Sequence, residues 1–505
     1  MHQRIRNPIP TPTLLIILLL LGFSPDDETR IFLIGDSTMA DKPLIGNPER
    51  GWGQVFPLFF RRDVVIANHA RNGRSSKSFL VEGRWQSVFE QLRPHDYVFI
   101  QFGHNDAKKE DTTRFAEART DFRNNLLRFV RETRSKDAIP VLLTPVCRRR
   151  FDKNGTFVDS HGDYPVVVRE LAAEEQIPLI DLHLKSRLVL ESLGVEESEQ
   201  LFLRAQPGMY SAVWSGKGDN THFNFNGALT VAGLVAEGVK ELDLPMRNRL
   251  VEVEKKSFVG LGKTVLLDCF YNNEWRKDAR GNPVRYHYVW EDTTNSGFSM
   301  LGKIISNLGS VIDTLCEAPT AHALKRASIY IIVDPDTPQE TEHPNYIDPR
   351  AADAVAEWVR QGGALVLMEN DKGNAEFERF NLLAGRFGLR FNENSRNKVV
   401  GKEYDTGMFD SFPDHPLFKG VKKIFMKEVS TLKVQDPASA LLSDKGDVII
   451  ASMAVGTGAV FAVGDPWLYN EYMDHRRLPQ DFENEKAAEN LFRWLLQLAP
   501  PSPAN

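Results

Sequence analysis

Five short apolar runs, each stopped by small or polar residues and separated by helical patterns, constrain the first half of this chain most. They are Arg30–Gly35, Val64–Asn68, Tyr97–Phe102, Pro140–Thr144 and Pro178–Leu182. Such runs suit strands buried on both faces of a parallel sheet. Phe115, Ala118, Phe122, Leu126, Phe129 and Val130 fall at helical spacing, and Tyr164–Glu175 and Asn226–Leu242 fit two further helices. The alternation predicts an α/β unit with helices on both sheet faces, joined by right-handed crossovers.

Around Leu244–Lys256 the pattern breaks into a charged stretch, and a second α/β series follows. Its expected strands are Thr264–Phe270, Ile329–Asp334, Ala364–Glu369, Val448–Met453 and Ala459–Gly464. Its helices fall near Phe298–Leu308, Arg350–Gln361, Ala375–Phe387 and Glu485–Leu498. Residues 1–25 stand apart: Arg4 and Arg6 precede the apolar block Leu14–Leu21, which fits an export signal and is too short to span a bilayer. An uncleaved, tethering signal is the alternative, because no Ala-x-Ala site is visible. The expected layout is therefore a signal over 1–25, a first α/β domain over 28–245, a linker over 246–259 and a second α/β domain over 260–500. With the signal removed, no membrane span is expected.

Sixty-two Lys and Arg against 68 Asp and Glu give a formal charge of −6. That balance argues against nonspecific binding to nucleic acid or to anionic membranes. Cys147, Cys269 and Cys316 are widely spaced in apolar contexts, with neither metal-ligand spacing nor a dense disulfide framework. They read as buried small hydrophobes.

The chemistry gathers at the ends of the first series' strands. The first strand runs into Gly35-Asp36-Ser37-Thr38-Met39, which would present a serine hydroxyl at the carboxyl edge of the sheet, where open α/β folds place their sites. A serine needs a base and a stabilised oxyanion to act as a nucleophile. Gly73 follows the second strand, and its backbone N–H could face a bound oxygen. Asn105, in Gly103-His104-Asn105-Asp106, offers a neutral amide donor after the third. Asp219-x-x-His222 precedes the last helix, a spacing that lets the carboxylate orient the imidazole toward the serine. Taken singly, each has a plainer reading as a turn glycine, a helix cap or an ordinary histidine. Trp52, Trp85, Arg74 and Arg148-Arg149-Arg150 flank these motifs; aromatic faces and guanidinium groups suit a polymer of sugars and uronates, and core packing or a solvated loop is the plainer reading of each.

These blocks resemble those of the SGNH, or GDSL-type, hydrolases. Gly35-Asp-Ser-Thr-Met-Ala40, Gly51-Trp-Gly53, Asn72-Gly-Arg-Ser-Ser-Lys-Ser-Phe79, Glu82-Gly-Arg-Trp85 and Asp96–Asp106 are similar to the rhamnogalacturonan acetylesterases of carbohydrate esterase family 12, over about residues 30–243. The resemblance implies a flavodoxin-like three-layer αβα fold and a secreted serine esterase. It implies Ser37 as nucleophile, His222 as general base and acid, Asp219 as its partner, and an oxyanion hole of Ser37, Gly73 and Asn105. Trp52, Arg74, Trp85 and His104 become candidate substrate contacts. The implied substrate is an acetylated pectic polysaccharide or oligosaccharide, and this chemistry needs no metal and no cofactor. An SGNH acyl esterase acting on acetylated xylan or a lipid-like ester, or a glycan-binding protein with a vestigial esterase domain, are the alternatives.

The second series resembles, more loosely, the class-I glutamine-amidotransferase-like domains that accompany unsaturated rhamnogalacturonyl hydrolases. An amidotransferase needs a cysteine on a strand-to-helix elbow, but the matching segment reads Leu367-Met-Glu-Asn-Asp-Lys-Gly373. Amidotransferase chemistry is not expected. Glu274, Trp275, Trp290, Glu291, Asp334, Asp336, Asn370, Asp371, Asp465 and Trp467 fall at its strand ends, where they could line a glycan cleft or equally serve as turns and helix caps in a structural module.

Overall fold

The computed structural model describes residues 28–502, so the expected export signal over 1–25 lies outside the described residues. Thr29–Gly35, Val64–Asn68, Tyr97–Gln101, Ile139–Leu143 and Leu179–Ile180 form one five-stranded parallel sheet. Numbered along the chain, these strands lie in the order 2-1-3-4-5, the flavodoxin-like arrangement. Alternation along each strand feeds two cores. Ile31, Leu33, Phe99 and Val141 pack on one face, against the helix Phe225–Glu241. Phe32, Ile34, Ile100 and Leu142 pack on the other, with Phe129 of Arg123–Arg134 and Leu171 of Tyr164–Glu174. Side chains this deeply buried each contribute roughly 1.5–3 kcal/mol through removal from water.

A small antiparallel sheet of Glu49–Arg50, Phe202–Ala205 and Lys217–Asn224 accompanies it, and sequence periodicity did not reveal it. Lys217–Asn224 runs directly into Phe225–Glu241, with the Asn224 side chain accepting from the Gly227 N–H as the helix cap.

The second series builds a larger sheet. Val311–Leu315, Thr264–Asp268, Ile329–Val333, Ala364–Met368 and Gly458–Val463 run parallel, and Asp447–Val455 extends the sheet antiparallel, followed by Leu432–Val434 and Leu389–Phe391. Two cores again flank it, one with Val265, Ile331 and Val366, the other with Leu266, Ile332 and Leu367.

The linker expected over 246–259 is docked: Met246 and Phe258 join the first core, and the backbone of Val251 donates to Phe59 while that of Arg61 donates to Arg249. Its apolar residues recur often enough to dock it against the first sheet's helices. Cys269 and Cys316 are not free hydrophobes but a disulfide, because parallel pairing of Thr264–Asp268 with Val311–Leu315 brings their strand ends together. Cys147 is free and buried as expected.

Candidate active site

Ser37 sits one residue beyond Asp36 at the carboxyl end of the first strand, in a turn closed by the Met39 and Ala40 N–H groups donating to the Asp36 carbonyl. Gly35 permits the turn, since a Cβ there would lie 2.7 Å from the Gln101 carbonyl oxygen. Although 185 positions away, His222 places Nε2 2.8 Å from Ser37 Oγ. Its Nδ1 lies 2.8 Å from Asp219 Oδ2, while Asp219 Oδ1 accepts from the Thr221 and His222 N–H groups at 2.6 and 2.9 Å. Burial pushes the Asp219 carboxyl up, but the His222 ring and these backbone donors outweigh it and hold the group well below the usual carboxylate range. The result is an ionised acceptor fixing one imidazole nitrogen while the other meets the serine.

The loop after the second strand is drawn to this turn by the Arg71 N–H donating to the Gly35 carbonyl. Gly73 follows with φ +75°, a left-handed conformation that favours glycine. Asn105 is 4% exposed; its Nδ2 donates to the Arg74 carbonyl at 3.0 Å, which ties the third strand's loop to that of Gly73. Asp106 clamps the same loops. Its Oδ1 accepts from the Ser76 N–H and hydroxyl, its Oδ2 accepts from the Gly103 N–H, and burial raises its pKa to about 7.

The expected substrate contacts divide. Arg74 is half-buried and lines a cleft of about 350 Å³ with Gly73, Glu82, Asp111 and Arg114. Trp52, Trp85 and His104 are corrections, because none offers a face to a ligand. Trp52 is fully buried and its Nε1 donates to Gln101 Oε1 at 2.7 Å; Trp85 is 1% exposed and donates to Glu132. His104 is 3% exposed, with Nδ1 3.2 Å from Asp36 Oδ2 and Nε2 3.3 Å from His161 Nε2. Arg148 and Arg149 are also structural, whereas Arg150 is exposed. Arg148 donates to the His104 carbonyl, and Arg149 holds Asn220 and Ser198, steadying the strand that carries Asp219.

Sequence reasoning missed the support beneath Ser37. Trp52 donates to Gln101, Gln101 Nε2 to Thr38 Oγ1 at 2.8 Å, and Thr38 Oγ1 to Asp36 Oδ1 at 2.8 Å. Only Thr38, the residue after the serine, carried a local signal. The Lys42–Glu49 ion pair, 2.7 Å long with Lys42 nearly buried, carried none.

A family model described as the GDSL-like lipase/acylhydrolase family matches residues 33–228. The chain is 44% identical over 230 residues to rhamnogalacturonan acetylesterase RhgT of Bacillus subtilis (strain 168), covering 46% of this chain and 97% of that protein. The chain belongs to the GDSL-like lipase/acylhydrolase family. It is a carboxylic ester hydrolase. This GDSL-family hydrolase is also 36% identical to the probable rhamnogalacturonan acetylesterase YesY of the same organism, over 44% of this chain and 97% of that one. Among solved structures it is similar to the Bacillus subtilis protein YxiM, at 26% identity and a TM-score of 0.38, covering 43% of this chain and 58% of that one. The three similarities each cover less than half of the GDSL-family chain.

Proposed function

We propose that this chain is an exported serine esterase that removes acetyl groups from pectic rhamnogalacturonan. The observation that carries the reading is the aligned relay of Ser37 Oγ, His222 and Asp219, with both contacts at 2.8 Å. In the proposed mechanism His222 Nε2 takes the Ser37 proton as Oγ attacks the acetyl carbonyl. The tetrahedral oxyanion lies against the Ser37 and Gly73 N–H groups and the Asn105 amide. The bond to the sugar oxygen breaks and His222 returns the proton to it. Water, deprotonated by His222, then attacks acetyl-Ser37, releasing acetate and restoring the hydroxyl. Asp219 stays ionised throughout and stabilises the imidazolium.

The substrate reading draws support from the acetylesterases to which the first half is similar, and from Arg74 in the cleft beside Gly73, where a guanidinium can pair with a uronate carboxylate. Export draws support from the Cys269–Cys316 disulfide, since such bonds persist mainly in oxidising compartments.

The test is acetate release from acetylated rhamnogalacturonan, acetylated xylan and p-nitrophenyl acetate. Wild type should prefer the first. Ser37→Ala should lose activity on all three, and Asn105→Ala should lose on the order of 10²–10³ in turnover. Equal release by Ser37→Ala would sink the mechanism, and a preference for xylan would replace the substrate.

A further inference from the structure

The second sheet ends in carboxylates that its own fold leaves unpaired. Asp334 follows the strand Ile329–Val333 and Glu369 follows Ala364–Met368, so the two stand side by side at the carboxyl edge. Both are buried, at 2% and 0% exposure. Neither oxygen of Asp334 receives a hydrogen bond, nor does Oε2 of Glu369 or Oδ1 of the nearby Asp336. A carboxyl group buried without donors is strongly unfavourable as an anion, so it is protonated, paired or placed on a metal.

One nitrogen ligand stands among them. His287 Nδ1 lies 2.5 Å from Glu274 Oε1 and 3.3 Å from Asp334 Oδ2. A single Nδ1–H is taken up by Glu274, and Asp334 is left without a donor. One ligand atom each from Glu274, His287 and Asp334 falls within 4.8 Å of the others. Two atoms each about 2.1 Å from one ion sit roughly 3.0–3.4 Å apart. The His287–Asp334 separation already fits, and the Glu274–His287 contact would open by about half an ångström. None of this lies in the esterase relay.

We propose that Glu274, His287 and Asp334 bind a divalent transition-metal cation, Zn²⁺ or Mn²⁺, at the carboxyl edge of the second sheet. An imidazole nitrogen with two carboxylate oxygens matches those ions, whereas Mg²⁺ and Ca²⁺ favour all-oxygen shells. Three protein ligands leave positions open to water or to an oxygen-rich ligand, as in exchanging rather than closed structural sites. The cation supplies the counter-charge that Asp334 otherwise lacks, and it gives the second half of the chain a ligand chemistry separate from that of Ser37.

The experiment is calorimetric titration of the full chain, stripped with a chelator, with Zn²⁺, Mn²⁺, Ca²⁺ and Mg²⁺, alongside thermal melts. Wild type should bind about one equivalent of Zn²⁺ or Mn²⁺ and melt about 5 °C higher when the ion is at roughly 100 times its Kd. Asp334→Asn and Glu274→Gln should each weaken binding on the order of 100-fold or more. Their metal-free melts should lie close to that of metal-free wild type, which separates a lost ligand from a lost fold. Asp159→Asn is the control, because Asp159, His161 and His183 form a similar cluster beside the first sheet; it should bind as wild type does. Absence of saturable binding, binding confined to Ca²⁺ or Mg²⁺, unchanged affinity in Asp334→Asn and Glu274→Gln, or loss in Asp159→Asn instead would each overturn the assignment. Acetate release is read separately, so failure here leaves the esterase reading intact.

Discussion

Asp36 is fully buried beside Ser37, and a carboxylate there is costly unless donors surround it. Burial alone pushes its pKa up, but His104 and the N–H and hydroxyl of Thr38 outweigh burial and bring it from 3.8 down to about 2. A folded-state pKa below the unfolded one means that the native protein binds fewer protons. Its contribution, about 2 kcal/mol, is then complete above roughly pH 5 and fades as pH falls through 4 toward 2. Asp36→Asn removes this dependence. In denaturant titrations the stability gap between wild type and Asp36→Asn should narrow by about 1.5 kcal/mol from pH 5 to pH 2.5. A gap that stays constant over that range would mean that Asp36 does not titrate as a buried, donor-stabilised acid. Acetate release at pH 7 should also fall in the variant, because an amide keeps only one acceptor oxygen and cannot serve both Thr38 and His104 in the turn carrying Ser37.

The strand Thr29–Gly35 shows how an element converts sequence into position. Four consecutive residues, Ile31 to Ile34, are buried on alternating faces, and Gly35 ends the run against the Gln101 carbonyl. Gly35→Ala would push a methyl group to 2.7 Å from that backbone oxygen, which cannot swing away as a side chain can. The expected cost is about 1–3 kcal/mol, read from the denaturant midpoint, with a larger loss in acetate release because Ser37 moves with the strand end. A variant as stable as wild type would show that the two strands can spread. Elements of this kind were legible because an apolar run bounded by turn residues has few other folds open to it; the Val64–Asn68 strand matches its expected limits. The strand Lys217–Asn224 was not, since Lys217-Gly-Asp-Asn carries no apolar alternation and is held by pairing with Phe202–Ala205. The Asp219-x-x-His222 spacing still yields a carboxylate–imidazole contact, because a three-residue interval works in that local turn whatever sheet surrounds it. Trp52 and Trp85 took the plainer of their two readings, core packing: an aromatic residue beside a motif looks the same in sequence whether it faces a ligand or the core. The antiparallel extension was half visible, with Val448–Met453 expected as a strand where Asp447–Val455 forms, but its direction is set by the two-residue turn at Gly456-Thr457.

Across the whole chain, the two sheets are joined by more than the docked segment 246–259. The Gly46 N–H donates to the Ile312 carbonyl, and the Ser211 hydroxyl donates to Asp313, which Arg326 also pairs. The strand that takes part, Val311–Leu315, is the edge of the second sheet and was not expected from sequence. It is fastened to its neighbour by the Cys269 N–H donating to the Leu315 carbonyl and by the Cys269–Cys316 disulfide. Closing a loop of 47 residues removes unfolded-state freedom worth about 4 kcal/mol in the chain-entropy account. That stabilisation belongs to the second sheet, whereas Ser37, His222 and Asp219 rest on the first. Cys269→Ala with Cys316→Ala should therefore lower the melting of the second half by several degrees while leaving acetate release at 25 °C near that of wild type. Differential scanning calorimetry with and without reductant, paired with the acetate assay, separates the outcomes. A single cooperative transition that shifts as one, with activity lost in parallel, would mean that the contacts at Gly46 and Ser211 make the two halves fold as a unit. Two transitions, only one of them sensitive to reductant, would mean that the Ser37–His222–Asp219 cluster draws its stability from its own sheet, and that the edge strand is held by the disulfide rather than by the neighbouring half.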